Sequence, residues 1–80
     1  MAHRLTVVHR HDCELCDAML ADLAALGRAL ALPPVDVLDV DSDPELTRRY
    51  GLSVPVLLLE GTVVCRFQLD RTELLRLLSR

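Results

Sequence analysis

Lysine and tryptophan are missing from this 80-residue chain, and its aromatic rings are reduced to Tyr50 and Phe67. Without lysine there is no Schiff-base nucleophile and no phosphate-loop cation; all nine cationic side chains are arginines. Without aromatics there is no platform on which nucleic-acid bases stack. Excess positive charge is missing too. The formal net charge is −3 and the pI is near 5.4, which excludes the basic face that grips nucleic acid by releasing counterions. The three glycines, Gly27, Gly51 and Gly61, stand apart, so no glycine-rich loop cradles a phosphate. Long apolar runs are absent as well. The first, Leu5 to Val8, is too short for a signal-peptide core or a membrane span. The expectation is a cytoplasmic protein with no membrane contact.

What is present argues for a folded domain. Hydrophobic residues make up 51% of the chain and charged residues 26%, a balance that disordered chains lack. Eighty residues are room for one domain, taken as residues 1–80. A domain so small buries only about 60% of the surface its unfolded chain exposes, so few apolar residues are spare.

The hydrophobic period changes along the chain. Leu5 to His9 is a short, β-branched, non-alternating run, expected as a central strand covered on both faces. From Glu14 to about Leu30, Leu15, Met19, Leu23, Leu26 and Leu30 recur at spacings of three and four, which predicts an amphipathic helix. Pro33-Pro34 stops it, and Val35 to Val40 is the next strand. Strand, helix, strand makes a βαβ unit with parallel strands. Ser42 with Glu45 fits a capping box, and Asp43 before Pro44 fits a cap with proline at the first helical position. The short helix that follows carries Leu46 and Tyr50 and ends at Gly51. Pro55 to Leu59 and Thr62 to Phe67 are strands joined by the two-residue turn Glu60-Gly61. Asp70 with Glu73 caps a last helix bearing Leu74, Leu75, Leu77 and Leu78. The order is βαβαββα.

The chemistry concentrates in His11-Asp12-Cys13-Glu14-Leu15-Cys16, where the first strand hands over to the long helix. The thiolate is the reactive form of cysteine, and free amides and the dipole at a helix N-terminus stabilise that anion. Cys13 and Cys16 are one helical turn apart, so their sulfurs can reach bonding distance. The first thiol stands at the mouth, and the second lies where it can attack a mixed disulfide from within. Arg10, and His11 or His9 when protonated, favour the Cys13 thiolate, while Asp12 and Glu14 oppose it. The expected Cys13 pKa is below the free value of about 8.5 but short of the strong oxidants' range. A second element, Ser53-Val54-Pro55, opens the third strand. Pro55 is read either as an ordinary trans residue or as a cis turn beside the cysteines, which would leave the Val54 backbone open to a substrate chain.

On these motifs the chain resembles the glutaredoxin-like family of small bacterial proteins. The likeness implies a thioredoxin fold, α/β, with a four-stranded mixed sheet in the order 2-1-3-4 flanked by three helices. It implies thiol–disulfide exchange, with Cys13 attacking, Cys16 resolving and Pro55 as the cis-proline. It implies that Arg10, three residues before the first cysteine, and Arg48 contact a glutathione carboxylate or its groove. It implies no dissociable cofactor beyond the redox-active disulfide. The partners implied are a disulfide-bearing protein or a glutathione mixed disulfide, with glutathione or a thioredoxin-reductase-type enzyme as reductant. The chain departs from the pattern in three places. Leu15 stands where glutaredoxins carry an aromatic residue, and Asp12 where thioredoxins carry Trp. Arg66-Phe67-Gln68-Leu69-Asp70 replaces a Gly-Gly pair.

Two other readings stand beside the redox one. His9-x-His11-x-Cys13-x-x-Cys16 offers donors that zinc or a soft metal accepts. A noncatalytic thioredoxin-fold adaptor is the other alternative. Cys65, in step with Val63 and Phe67, is expected on one face of the fourth strand as a buried core thiol. His9 and His11 are expected as exposed residues, and His3 as tail. Asp39-x-Asp41-x-Asp43 begins like a calcium loop. It fails at Pro44 and Tyr50, where such a loop needs glycine and glutamate.

Overall fold

A computed structural model describes residues 3–80. The strand β1 (Leu5–His9) sends Leu5 and Val7 to one face of the sheet and Val8 to the other, all three fully buried. A strand with apolar residues on both faces belongs inside a sheet, and β1 does lie inside. The order is β2-β1-β3-β4, with β2 (Val35–Asp39) parallel to β1, and β3 (Val56–Leu59) antiparallel to both β1 and β4 (Thr62–Arg66).

Three helices cover the sheet. The helix α1 (Glu14–Ala29) buries Cys16, Met19, Leu23 and Leu26. With α3 (Arg71–Leu78), which supplies Leu74, it packs Met19, Leu23 and Leu26 against Leu5, Val7 and Leu57. On the other face α2 (Pro44–Tyr50) brings Leu46 and Tyr50 against Val8, Val40, Val56 and Leu58. Fully burying each such side chain is worth about 1.5–3 kcal/mol, so a chain this size needs both faces. Asp43 and Asp70 cap α2 and α3 by accepting from the amides of Glu45 and Glu73.

Four details differ from the sequence expectations. The buried stripe of α1 runs through Cys16 rather than Leu15, which is 52% exposed, and Leu30 is an exposed C-cap. The second strand ends at Asp39, because Asp39 accepts from the Asp41 amide and opens a short 3-10 turn, Val40–Ser42. Ser42 caps nothing; its hydroxyl donates to the Asp39 carbonyl, which leaves the cap of α2 to Asp43. A bulge in β4 pairs Leu57 with Cys65 but Leu58 with Val63. The extra residue, Val64, breaks the alternation. Val63 therefore packs on the α2 face and Cys65 on the α1 and α3 face, where it is half-buried rather than fully buried. Phe67 lies beyond the strand.

Gly61, with φ +84, follows Glu60 at φ +50 in the β3–β4 hairpin, as a tight turn with two left-handed residues requires. At Gly51 the constraint is space: a Cβ there would meet the Thr47 carbonyl oxygen at 2.5 Å. His3, read as tail, approaches Glu60 at 3.3 Å. Among the described residues no helix is long and apolar enough to cross a membrane.

Candidate active site

The chain leaves β1 at His9 and enters α1 at Glu14. Between them lies a turn in which Asp12 takes the left-handed region at φ +56. Cys13 follows as the N-cap of α1, extended at φ −122 and ψ 107. Its Sγ accepts the Cys16 amide at 3.1 Å, the role that a serine or aspartate oxygen fills at ordinary caps. One turn on, Cys16 is fully buried, while Cys13 is half-buried. Their Cα atoms are 5.2 Å apart and their sulfurs are joined as a disulfide. The outer sulfur thus lies where the helix amides and dipole are concentrated, and the inner one is closed from solvent.

Arg10 holds this turn from below. Its backbone amide donates to the Cys16 Sγ at 3.5 Å. Its guanidinium forks onto Asp41, Nε to Oδ2 at 3.0 Å and Nη2 to Oδ1 at 3.2 Å. The third nitrogen, Nη1, donates to the Gly51 carbonyl at 2.9 Å. The Arg10 guanidinium holds the Asp41 carboxyl below its ordinary value, and that hydrogen bond raises the Arg10 pKa in turn. The side chain read as a contact for a glutathione carboxylate is therefore engaged within the protein. Arg48 is engaged likewise, forked onto Glu45 at 2.6 and 2.8 Å.

The loop from Gly51 to Pro55 closes the site from the β3 side. Val8 pairs with Val56, so Pro55 reaches the same end of the sheet as His9 and Arg10. The Val54–Pro55 peptide bond is cis. Pro55 is buried, and its carbonyl accepts the Phe67 amide at 2.8 Å. Val54 is half-buried and takes no part in a backbone–backbone hydrogen bond among the described residues.

His11 is 76% exposed, 3.4 Å from Asp39, and its ring meets His9 edge-on. Asp12 is exposed. Among the described residues no three His, Cys, Asp or Glu side chains come together to hold a metal ion. The His9 to Cys16 string is thus spread along a strand end, a turn and a helix rather than gathered round one point. Cys65 stands apart from the pair, and burial, with the Asp70 carboxylate, pushes its thiol up from 9.0. Sequence reasoning missed Asp41 and Gly51 as partners of Arg10, and Phe67 as the neighbour of Pro55. No local pattern encodes those long-range contacts.

A βαβαββα sheet in the order 2-1-3-4, with a cysteine pair at the first helix N-terminus, defines a thioredoxin-fold domain with a dithiol site. The chain belongs to the glutaredoxin-like domain family (DUF836), whose profile it matches over residues 4–79. It is similar to a protein from Nitrosomonas europaea, known from a solution structure, with 30% identity over 96% of this chain and 92% of that one and a TM-score of 0.84. A crystallised protein from X. campestris is 34% identical over 94% of this chain and 95% of that one, with a TM-score of 0.67. A thioredoxin from Fasciola hepatica shares the fold at 20% identity, covering 99% of this chain and 80% of its own, with a TM-score of 0.60. No curated protein matches the chain.

Proposed function

We propose that this protein is a dithiol–disulfide oxidoreductase. The observation that carries the reading is the placement of Cys13. It caps a helix, accepts an amide on sulfur, and is bonded to a second, buried sulfur one turn along. In the reduced protein the Cys13 thiolate attacks one sulfur of a substrate disulfide. The substrate S–S bond breaks, a mixed disulfide forms, and the departing substrate thiolate takes a proton from water. Cys16, as thiolate, then attacks the Cys13 sulfur. The Cys13–Cys16 bond closes and the second substrate thiol leaves, so two electrons pass from the pair to the substrate. A thiol of glutathione type or a disulfide reductase restores the dithiol, and a reducing cytoplasm is the setting in which such a pair cycles.

The other residues take supporting roles. The Val54 backbone, which makes no backbone–backbone hydrogen bond among the described residues, receives an extended substrate segment. His11 and Asp12 precede Cys13 in the turn, both exposed, as its candidate tuning residues. Arg10 is a positioning residue, because its guanidinium is already bound to Asp41 and Gly51. Replacing the cysteines singly tests the reading. Cys13→Ser is expected to abolish disulfide reduction, and Cys16→Ser to accumulate a mixed disulfide on Cys13, seen as a mass adduct. Turnover that survives Cys13→Ser would refute it.

A further inference from the structure

The mouth of the cysteine pair has an apolar rim that the chemistry itself does not need. Leu15, between the two cysteines, is 52% exposed, and Leu52, one residue after the carbonyl that anchors Arg10, is wholly exposed. Phe67, whose amide is bonded to the Pro55 carbonyl, is 48% exposed. The sequence positions are far apart, yet the sheet brings all three segments to one end. Phe67 also sits at φ +71. A bulky residue in the left-handed region costs free energy that glycine would avoid, and such outliers gather where a ligand is handled.

The charges at the mouth point the same way. Asp12, Glu14 and Asp17 are exposed beside Cys13 and, among the described residues, form no ion pair. Arg10, Arg48 and Arg49 are already paired with Asp41 or Glu45. Arg66, next to Phe67 in the chain, and Arg71 are exposed and, among the described residues, form no ion pair, so the charge is mixed while apolar surface recurs at Leu15, Leu52 and Phe67. Glutathione brings two carboxylates, one ammonium and no apolar side chain. It gains nothing from the leucines and the phenylalanine, and it meets three carboxylates next to the attacking sulfur.

We infer that the substrate of this site is a polypeptide disulfide flanked by apolar residues, and that glutathione disulfide is a poor one. The inference rests on the oxidoreductase reading above. An extended chain pairs with the Val54 backbone while its apolar side chains cover Leu15, Leu52 and Phe67. The electrons follow the same course: the substrate S–S bond breaks, the Cys13–Cys16 bond forms, and the substrate leaves as two thiols.

The test uses the whole reduced protein and three oxidants: glutathione disulfide and two synthetic peptides with the same disulfide loop, one flanked by leucines and one by aspartates. The initial rate of Cys13–Cys16 closure is read by acid quench, alkylation and mass spectrometry. Each rate is divided by that of dithiothreitol with the same oxidant, which removes differences in intrinsic reactivity. The leucine-flanked peptide is expected to exceed both others by about tenfold, the yield of partly burying one or two apolar side chains. Leu52→Asp, at a wholly exposed position, and Phe67→Gly, at a φ that glycine favours, keep the fold and lower that ratio. A ratio near one, or a preference for glutathione disulfide, would overturn the inference and leave the oxidoreductase reading standing. Failure of all three to close the pair would overturn both.

Discussion

Arg10 donates from its guanidinium to the Gly51 carbonyl at 2.9 Å, and so joins the cysteine turn to the loop that leads into Pro55. The same residue's amide reaches the Cys16 sulfur at 3.5 Å. One residue thus ties the buried sulfur of the pair, through its amide, to the loop before Pro55, through its guanidinium. Exchange reactions are sensitive to misplacement on the ångström scale. Arg10→Ala is expected to slow peptide disulfide reduction by about tenfold while the isolated thiols keep their alkylation rates. Arg10→Lys is not expected to rescue it, because a single ammonium cannot fork onto Asp41 and still hold Gly51. Full rescue by lysine would show that charge alone matters.

The three thiols of the reduced protein are expected to separate by reactivity. Cys13 is half-buried and its sulfur accepts an amide, which favours the thiolate. Cys16 is closed from solvent. Cys65 is pushed up from 9.0 chiefly by burial, with a hydrogen bond to the Asp70 backbone opposing and the Asp70 carboxylate adding to the rise. At neutral pH, alkylation followed by peptide mapping is expected to label Cys13 at least about tenfold faster than Cys65. Raising the pH narrows the gap as Cys65 ionises. Equal rates at neutral pH would contradict the helix-terminus argument.

The ion pair beneath the site gives a pH signature. Asp41 is held below its ordinary 3.8, first by its hydrogen bond to Arg10 and then by charge. A carboxyl depressed in the folded state contributes stability that is present above its unfolded value and is lost as pH falls through its folded value. Chemical denaturation of the native protein and Asp41→Asn is therefore expected to show a constant difference from neutral pH down to about pH 5. Below the ordinary carboxylate range the difference shrinks. A difference that grows on acidification would contradict the pairing.

Two adjacent leucines of α3 test the packing. Leu74 is fully buried against Leu5, Val7 and Leu57, and Leu75 is 37% exposed. Leu74→Ala is expected to cost about 2–5 kcal/mol, as cavities in packed cores do. Leu75→Ala is expected to cost under about 1 kcal/mol. Thermal unfolding reads both, with a shift of roughly 4–8 °C per kcal/mol in a domain of this size.

Much of the fold was legible because local signals agreed with one another. Leu5 to His9 carries apolar residues for two faces and lies inside the sheet. Pro33-Pro34, Asp43-Pro44 and Asp70 mark helix ends that the backbone respects. The cysteine pair was legible for the same reason, since its spacing and its place before the helical period need no distant partner. What stayed hidden depends on contacts between remote segments. Whether Leu15 or Cys16, about 100° apart around the helix axis, turns inward is set by how α1 lies on the sheet. The bulge at Val64 leaves no residue signature, so Val63 and Cys65, expected on one face, lie on opposite faces of the sheet. Asp41 and Gly51 claim the Arg10 side chain from 31 and 41 residues away, which no spacing rule along the chain reveals.

The central claim is that Cys13 and Cys16 form a reversible two-electron couple. Equilibrating the protein with graded ratios of reduced to oxidised glutathione, then trapping thiols and weighing the products, measures that directly. The expected result is one transition, with the loss of two hydrogens confined to the peptide that holds both cysteines and a midpoint between roughly −270 and −180 mV. A pair that stays reduced across the whole glutathione range, or that yields only glutathione adducts on single cysteines, would contradict the account.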